Sequence, residues 1–146
     1  MRRYSTGNLQ RDNFWRNLKR IYEKTFLCIS DYIYYAIILR GEYPFISDIF
    51  EACAVSECEV FRILDEMLGG VSEDRSLDIR ARFDDKRGAV GIDKIIRLEA
   101  GAIREEIREC EYLSSFCKDK ECRDILTRVI EMRGEMLERF ERIMRS

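Results

Sequence analysis

Three charged residues stand on helical stripes that are otherwise apolar, and they are the first candidates for chemistry: Glu57, Glu99 and Arg133. An unpaired charge on a buried helix face is expensive. Two facing carboxylates would repel each other, and one would take up a proton. A guanidinium offers a cation whose fork of donors suits carboxylates. The pattern therefore predicts a buried network in which Arg133 contacts Glu57 or Glu99. The alternative is that Arg133 extends to the surface while the glutamates face solvent at helix edges.

Six cysteines offer a second kind of chemistry, at positions 28, 53, 58, 110, 117 and 122. Cys28 and Cys53 are predicted to lie at the same level of two antiparallel helices, close to Glu57. The two thiols could form a redox pair, or they could bind a metal ion together with Glu57. Burial as small apolar residues is the more ordinary role. Cys117 and Cys122 could form a local disulfide only where a turn interrupts the helix. The chain contains no histidine, which excludes zinc-finger and Cys-His patterns.

Apolar spacing predicts four amphipathic helices that would position these side chains. They begin at about Leu9, Pro44, Gly91 and Asp119. Two short turns make two antiparallel hairpins, and the charged connector 71–90 can run the length of a bundle between them. The sequence thus predicts an all-α four-helix bundle of one domain, 1–146, with residues 1–10 as a flexible N-terminal segment.

The stretch YIYYAIILRGEYPFISDIFEACAVSECEV, residues 32–60, runs on to Leu68-Gly69-Gly70. It resembles the first helical hairpin of the rubrerythrin and ferritin-like di-iron family. There a tyrosine-rich helix turns into one that carries Glu-x-x-His, followed by a Leu-Gly-Gly exit. The resemblance covers about residues 20–145. It implies a ferritin-like bundle in which the two hairpins are joined by a long crossover.

The family's metal centre needs six ligands, a glutamate from each of two helices and a Glu-x-x-His pair from each of the other two. The resemblance places the equivalent positions at Thr25, Glu57, Val60, Glu99, Arg133 and Met136. Only two of these residues keep a ligand type. The resemblance therefore implies a divergent member that lacks most metal ligands, with Arg133 standing where the metals stood.

Charge and hydropathy limit the partners that the sequence predicts. A net charge of -2 provides no field toward nucleic acid or anionic lipid. The basic and aromatic start, RRYSTGNLQRDNFWRNLKR, is a weak nucleic-acid signal that we interpret as a helix end packing on the bundle or on a second subunit. The longest apolar run, Phe26–Leu39, is 14 residues, shorter than the roughly 20 of a membrane span. No signal peptide follows Arg2-Arg3, which predicts a cytoplasmic protein.

The expected function is that of a non-catalytic bundle with a structural or partner-binding role and no cofactor. The alternative is a residual metal-binding or redox protein that holds a single metal ion through Glu57, Glu99 and Cys28 or Cys53. The first hairpin has more aromatic side chains than one core stripe can bury, which predicts a homodimer. An unknown protein partner is the other possibility. These aromatic residues are Phe14, Trp15, Tyr34 and Phe45.

Overall fold

The computed structural model describes residues 8–69 and 91–146, with side chains from residue 13 onward in the first range. These residues form four helices: α1 (Asn8–Ile38), α2 (Pro44–Met67), α3 (Ile92–Ser114) and α4 (Lys120–Arg145). No strand occurs in either described range, so the all-α prediction is confirmed there. The connector 71–90 lies outside the described residues, as do residues 1–7 of the predicted N-terminal segment. Residues 8–10 of that segment belong to α1.

Three helix ends lie where the sequence predicted them: the start and the end of α2 and the start of α4. Pro44 occupies the first position of α2, where its missing N–H costs nothing. Gly69 follows α2 with φ of 74°, a left-handed conformation that stops the helix and favours glycine. Asp119 is extended at the N-cap of α4. These three helix ends are therefore marked by residues at the ends themselves.

The helices pack as two antiparallel hairpins, α1 with α2 and α3 with α4, and the hairpins meet through α2 with α4 and α1 with α3. One apolar cluster fills one end of the bundle and includes Phe14, Leu18, Leu64, Leu113 and Leu126. A second cluster fills the other end and includes Tyr32, Phe50, Ile96, Ile103 and Phe140. Consequently α1 and α4 run in one direction, and α2 and α3 run in the other.

The placement of the aromatic side chains corrects one sequence expectation. Phe14 is a core residue and is 1% exposed, because the inner stripe of α1 extends further toward the N-terminus than expected. Trp15 and Tyr34 are half-buried, and Phe45 alone of the four expected aromatic residues is largely exposed.

None of the four helices is long and apolar enough to cross a membrane.

A disulfide between Cys117 and Cys122 joins the last turn of the α3 region to the first turn of α4. The five residues between the helices break the helical geometry, so the two Cα atoms come within 5.9 Å. Arg123 also donates hydrogen bonds to the carbonyls of Cys117 and Lys118, at 3.0 and 2.9 Å. The disulfide and the arginine together fix the turn of the second hairpin.

We expect the double substitution Cys117→Ser with Cys122→Ser to lower the free energy of unfolding by about 2 kcal/mol, because the short loop is no longer closed in the unfolded chain. Urea denaturation of both proteins without reductant measures the difference. Cys58→Ser is the matched control, since Cys58 is an exposed free thiol and its loss should change stability by less than about 0.5 kcal/mol. Equal midpoints for the double variant and the control would contradict a structural role for the disulfide.

Candidate functional site

Arg133 is the largest fully buried side chain among the described residues. The helical repeat places it on the same face of α4 as Val129 and Met136, both of which are core residues. The fold of α4 therefore directs a guanidinium between the two apolar clusters. We call the group of Thr25, Glu57, Glu106 and Arg133 the polar layer.

The Arg133 guanidinium binds Glu57 through two parallel contacts. Nε donates to Glu57 Oε1 at 3.3 Å, and Nη2 lies 3.4 Å from Oε2. Nη2 also donates to Thr25 Oγ1 at 2.7 Å, while the Thr25 hydroxyl donates to the carbonyl of Ile21. The predicted contact between Arg133 and Glu57 is thus present, and Arg133 does not extend to the surface.

The carboxylate that α3 contributes to Arg133 is Glu106, and sequence reasoning did not assign it. Glu106 Oε2 lies 3.4 Å from Arg133 Nε. That oxygen accepts no hydrogen bond within the described ranges, so this contact is an ion pair without hydrogen-bond geometry. Glu99 is also buried, but it lies seven residues earlier on α3, about 10 Å nearer the second cluster.

A signal for Glu106 was available in the sequence. Glu106 belongs to the same apolar stripe of α3 as Glu99, so periodicity does not distinguish them. The number of residues that separates each glutamate from the turn of the second hairpin does distinguish them. Glu106 lies 13 residues before Asp119 and Arg133 lies 14 after it, which places both at one level. Glu99 lies 20 residues before Asp119, at the level of Phe140.

Two thiols form hydrogen bonds with residues of the polar layer. Cys28 donates a hydrogen bond from Sγ to Glu106 Oε1 at 3.3 Å, and Cys110 Sγ accepts one from Arg133 Nη1 at 3.4 Å. Burial raises the pKa of Cys28 well above its ordinary value, and the charges of Glu106 and Glu57 raise it further. Burial also raises the pKa of Cys110, although Arg133 opposes that shift. Both thiols are therefore protonated at neutral pH.

Cys53 and Glu99 belong to the second end of the bundle. Cys53 lies in the same apolar cluster as Cys28 and is fully buried. Burial raises the pKa of Cys53 to about 12, so this thiol also stays neutral. The charge of Glu99 raises the pKa of Cys53 and of Tyr32 after the larger effect of burial. Glu99 thus acts on the second cluster electrostatically.

The charges within the polar layer do not balance. Burial lowers the pKa of Arg133, but Glu57 and Glu106 overcome this effect and leave the pKa well above its ordinary value. Burial raises the pKa of Glu57, Arg133 opposes the increase, and Glu106 adds to it. One permanent cation therefore faces two carboxyl groups, and burial together with the charge of Glu106 leaves the pKa of Glu57 above its ordinary value.

The two positions that the resemblance equates with imidazole ligands contain core side chains instead. Val60 packs in the first apolar cluster, and Met136 packs in the second. Thr25 supplies a neutral hydroxyl. A centre of two irons needs several carboxylates and imidazoles around two cations. The described residues do not fit it, since Arg133 already lies between the only two carboxylates of the layer.

A single metal ion has one candidate set of ligands in the described ranges. Cys28, Glu57 and Glu106 each offer one ligand atom, and these atoms lie within 4.8 Å of one another. The set differs from the predicted one, because Glu106 replaces Glu99 and Cys53 is not included. Arg133 is in contact with both carboxylates. A bound ion would therefore stand beside the guanidinium, and the repulsion between the two cations would oppose binding.

Comparisons of the chain with protein-family models, with curated proteins and with solved structures give no match. The site is thus interpreted from its own geometry.

We expect Arg133→Leu to lower the free energy of unfolding by about 3–5 kcal/mol, because Glu57 and Glu106 would lose the cation that compensates their burial. Urea denaturation measures this loss. Arg142→Leu on the same helix is the matched control, since Arg142 forms an exposed pair with Glu138 and its loss should cost at most about 1 kcal/mol.

The triple variant Arg133→Leu, Glu57→Leu, Glu106→Leu completes that experiment. It leaves no buried charge in the layer, so we expect it to recover much of the stability that Arg133→Leu loses. A triple variant less stable than Arg133→Leu would show that the layer contributes net stability through its charges.

The raised pKa of Glu57 predicts a pH dependence of stability. Below the ordinary value of 4.5, both folded and unfolded states hold the proton. As pH rises, the unfolded chain releases it first, so stability is lost until pH passes the folded-state pKa. We expect the free energy of unfolding to fall relative to Glu57→Gln above pH 4.5, by at most about 1.4 kcal/mol per pH unit.

Urea denaturation between pH 4 and 8 measures this difference. Glu59→Gln is the control, because its hydrogen bond with Arg62 lowers the pKa of Glu59 and gives a pH dependence of opposite sign. A wild-type curve parallel to that of Glu57→Gln would contradict a raised pKa of Glu57.

Proposed function

We propose that the protein is a non-catalytic, divergent member of the ferritin-like class with a structural or partner-binding role. In this proposal an ion-pair network replaces the di-iron centre. The observation that carries it is a fully buried Arg133 between Glu57 of α2 and Glu106 of α3. A guanidinium is a permanent cation without redox chemistry. It therefore neutralises the carboxylates and supports no oxidation or reduction.

The directions of the helices support a ferritin-like crossover. Met67, the last residue of α2, and Leu68 after it belong to the first apolar cluster, whereas Ile95 near the start of α3 belongs to the second. The end of α2 and the start of α3 therefore lie at opposite ends of the bundle. A single long crossover of this kind is the connection that ferritin-like bundles use.

The buried layer is suited to holding four helices in one arrangement. Each of the other three helices contributes at least one side chain to the contacts of Arg133: Thr25 from α1, Glu57 from α2, and Glu106 and Cys110 from α3. Sliding any one helix by a turn would remove a partner from a buried charge. We infer that the network specifies the register of the bundle, the role best attested for buried polar groups.

The cellular compartment and the oligomeric state of the protein are also part of the proposal. Cys58 is an exposed free thiol, and three more free cysteines are buried. Four free thiols fit a reducing, cytoplasmic compartment, and the Cys117–Cys122 disulfide would have to resist reduction there, as intracellular disulfides of hyperthermophile proteins do. We also propose that the protein self-associates as a homodimer, because large apolar side chains remain exposed on its first hairpin.

A second candidate function is the binding of one metal ion by Cys28, Glu57 and Glu106. The proximity of the three ligand atoms favours it. Thiolate and carboxylate ligands suit zinc and cobalt(II). Binding would require the Cys28 thiol to lose its proton and the ion to stand beside the Arg133 cation. Both conditions oppose binding, so we place this function second.

We expect untagged protein from iron-supplemented culture to contain far less than one iron per chain and no oxo-bridge absorption. The reason is the Arg133 cation between the carboxylates. Elemental analysis by mass spectrometry and absorption spectroscopy measure these quantities. Two irons per chain would contradict the proposal.

A cobalt(II) titration separates the two candidates. A thiolate-to-cobalt absorption band in the wild-type protein, lost in Cys28→Ser, would favour the metal-binding function. Cys58→Ser is the control, since Cys58 lies outside the candidate ligand set.

A further inference from the structure

We infer that a groove between α1 and α3 binds a short acidic segment of a partner protein in an extended conformation. The groove lies at the end of the bundle that contains the first apolar cluster, and no side chain of the polar layer lines it. The inference rests on the partner-binding role proposed above, to which it gives a surface and a class of partner.

The floor of the groove contains an apolar cavity that can accept one side chain. Phe14, Leu113 and Phe116 line this cavity, and its volume is about 90 Å³. That volume is smaller than the roughly 150 Å³ of a cavity that holds benzene, so it suits an aliphatic side chain better than an aromatic ring. Tyr112 forms one wall, is 59% exposed and packs edge to face on Phe116 at 4.8 Å. An exposed tyrosine beside an apolar cavity is a typical anchor point of an interface.

Two asparagine amides on α1 can bind the backbone of an extended peptide. Asn13 and Asn17 both line the groove, and neither side chain is hydrogen-bonded to another described residue. The two residues are one helical turn apart, about 6 Å along α1, which is close to the roughly 6.6 Å between alternate residues of an extended chain. Each amide can donate to a peptide carbonyl and accept from a peptide N–H. The spacing therefore favours an extended segment.

The α1 wall of the groove is basic. Residues 16–24 of α1 contain four cationic side chains and one acidic one: Arg16, Lys19, Arg20, Lys24 and Glu23. Arg20 lines the groove, and together with Lys24 it contacts one carboxylate, Glu109 of α3, at 3.4 and 3.1 Å. Four cations thus face two acids, Glu23 and Glu109, which leaves an excess of positive charge on this wall. A guanidinium fork suits carboxylates, so the excess favours acidic side chains.

The α3 wall favours a peptide over a nucleic-acid strand. Glu105 pairs with Arg108 at 2.8 Å, and Glu109 lines the same wall. A nucleic-acid strand carries a negative charge at every phosphate, and some of these charges would lie against the two glutamates. A peptide avoids this repulsion, because it can place acidic residues beside α1 and uncharged residues beside α3. We therefore assign the basic start of the chain to an acidic peptide partner.

The test is a selection of random peptides of about twelve residues on the full chain, long enough to follow the roughly 16 Å from Asn13 to Lys24. We expect the enriched peptides to contain several aspartates or glutamates and a leucine or isoleucine. Fluorescence anisotropy then measures their dissociation constants, which should rise with salt because exposed charges are screened.

The double variant Arg16→Glu, Arg20→Glu should raise the dissociation constant about 10-fold or more, because it reverses the charge of the α1 wall. Tyr112→Ala should also raise it about 10-fold, through loss of the exposed ring. The matched control is Arg128→Glu, Arg142→Glu on α4, which makes the same change in net charge at exposed positions outside the groove. It should change the dissociation constant by less than about twofold. Circular dichroism verifies that each variant is folded.

Three results would overturn the inference. The first is a selection that enriches no acidic peptide, and the second is an acidic peptide whose affinity the groove variants and the α4 control change equally. The third is binding of a labelled single-stranded RNA that Arg16→Glu, Arg20→Glu abolishes and that the acidic peptides do not displace, which would assign the groove to nucleic acid. The iron content of the same preparation tests the proposed non-catalytic role separately, so either conclusion can fail without the other.

Discussion

The burial of the Arg133 guanidinium is the constraint on which the rest of the bundle depends. A charge removed from water at this depth must be compensated by nearby groups in well-defined geometry. Glu57 and Glu106 supply the opposite charge, and Thr25 supplies an uncharged acceptor. The Thr25 hydroxyl directs its proton to Ile21, which leaves a lone pair free for Arg133. The four helices must hold their relative heights for these contacts to coexist.

The polar layer lies in the middle of the buried core. Apolar clusters lie on both sides, and their burial is the main favourable contribution to folding. The layer itself is a poor source of stability, because desolvating three ionisable groups consumes most of the attraction between them. Its contribution is specificity, since apolar side chains alone tolerate small shifts between helices whereas a buried charge does not.

An ion pair at this position would perform one task of a metal centre and omit another. A metal bound by residues from four helices ties them together around a central positive charge, and Arg133 does the same from within α4. A metal can also bind substrates at open positions and change its oxidation state. The guanidinium does neither, and every residue of the layer is buried. This difference is the physical basis of the proposed non-catalytic role.

Local sequence determined the helices, their ends and the burial of Arg133. Helix periodicity, Pro44 and the glycine after α2 act within a few residues, so they can be recognised without tertiary structure. The partner on α3 could not be identified in this way. Glu99 and Glu106 occupy equivalent positions two turns apart on one stripe. Only the turn before α4 decides which carboxylate reaches the height of Arg133, because relative height depends on how helices pack and not on the pattern within either one.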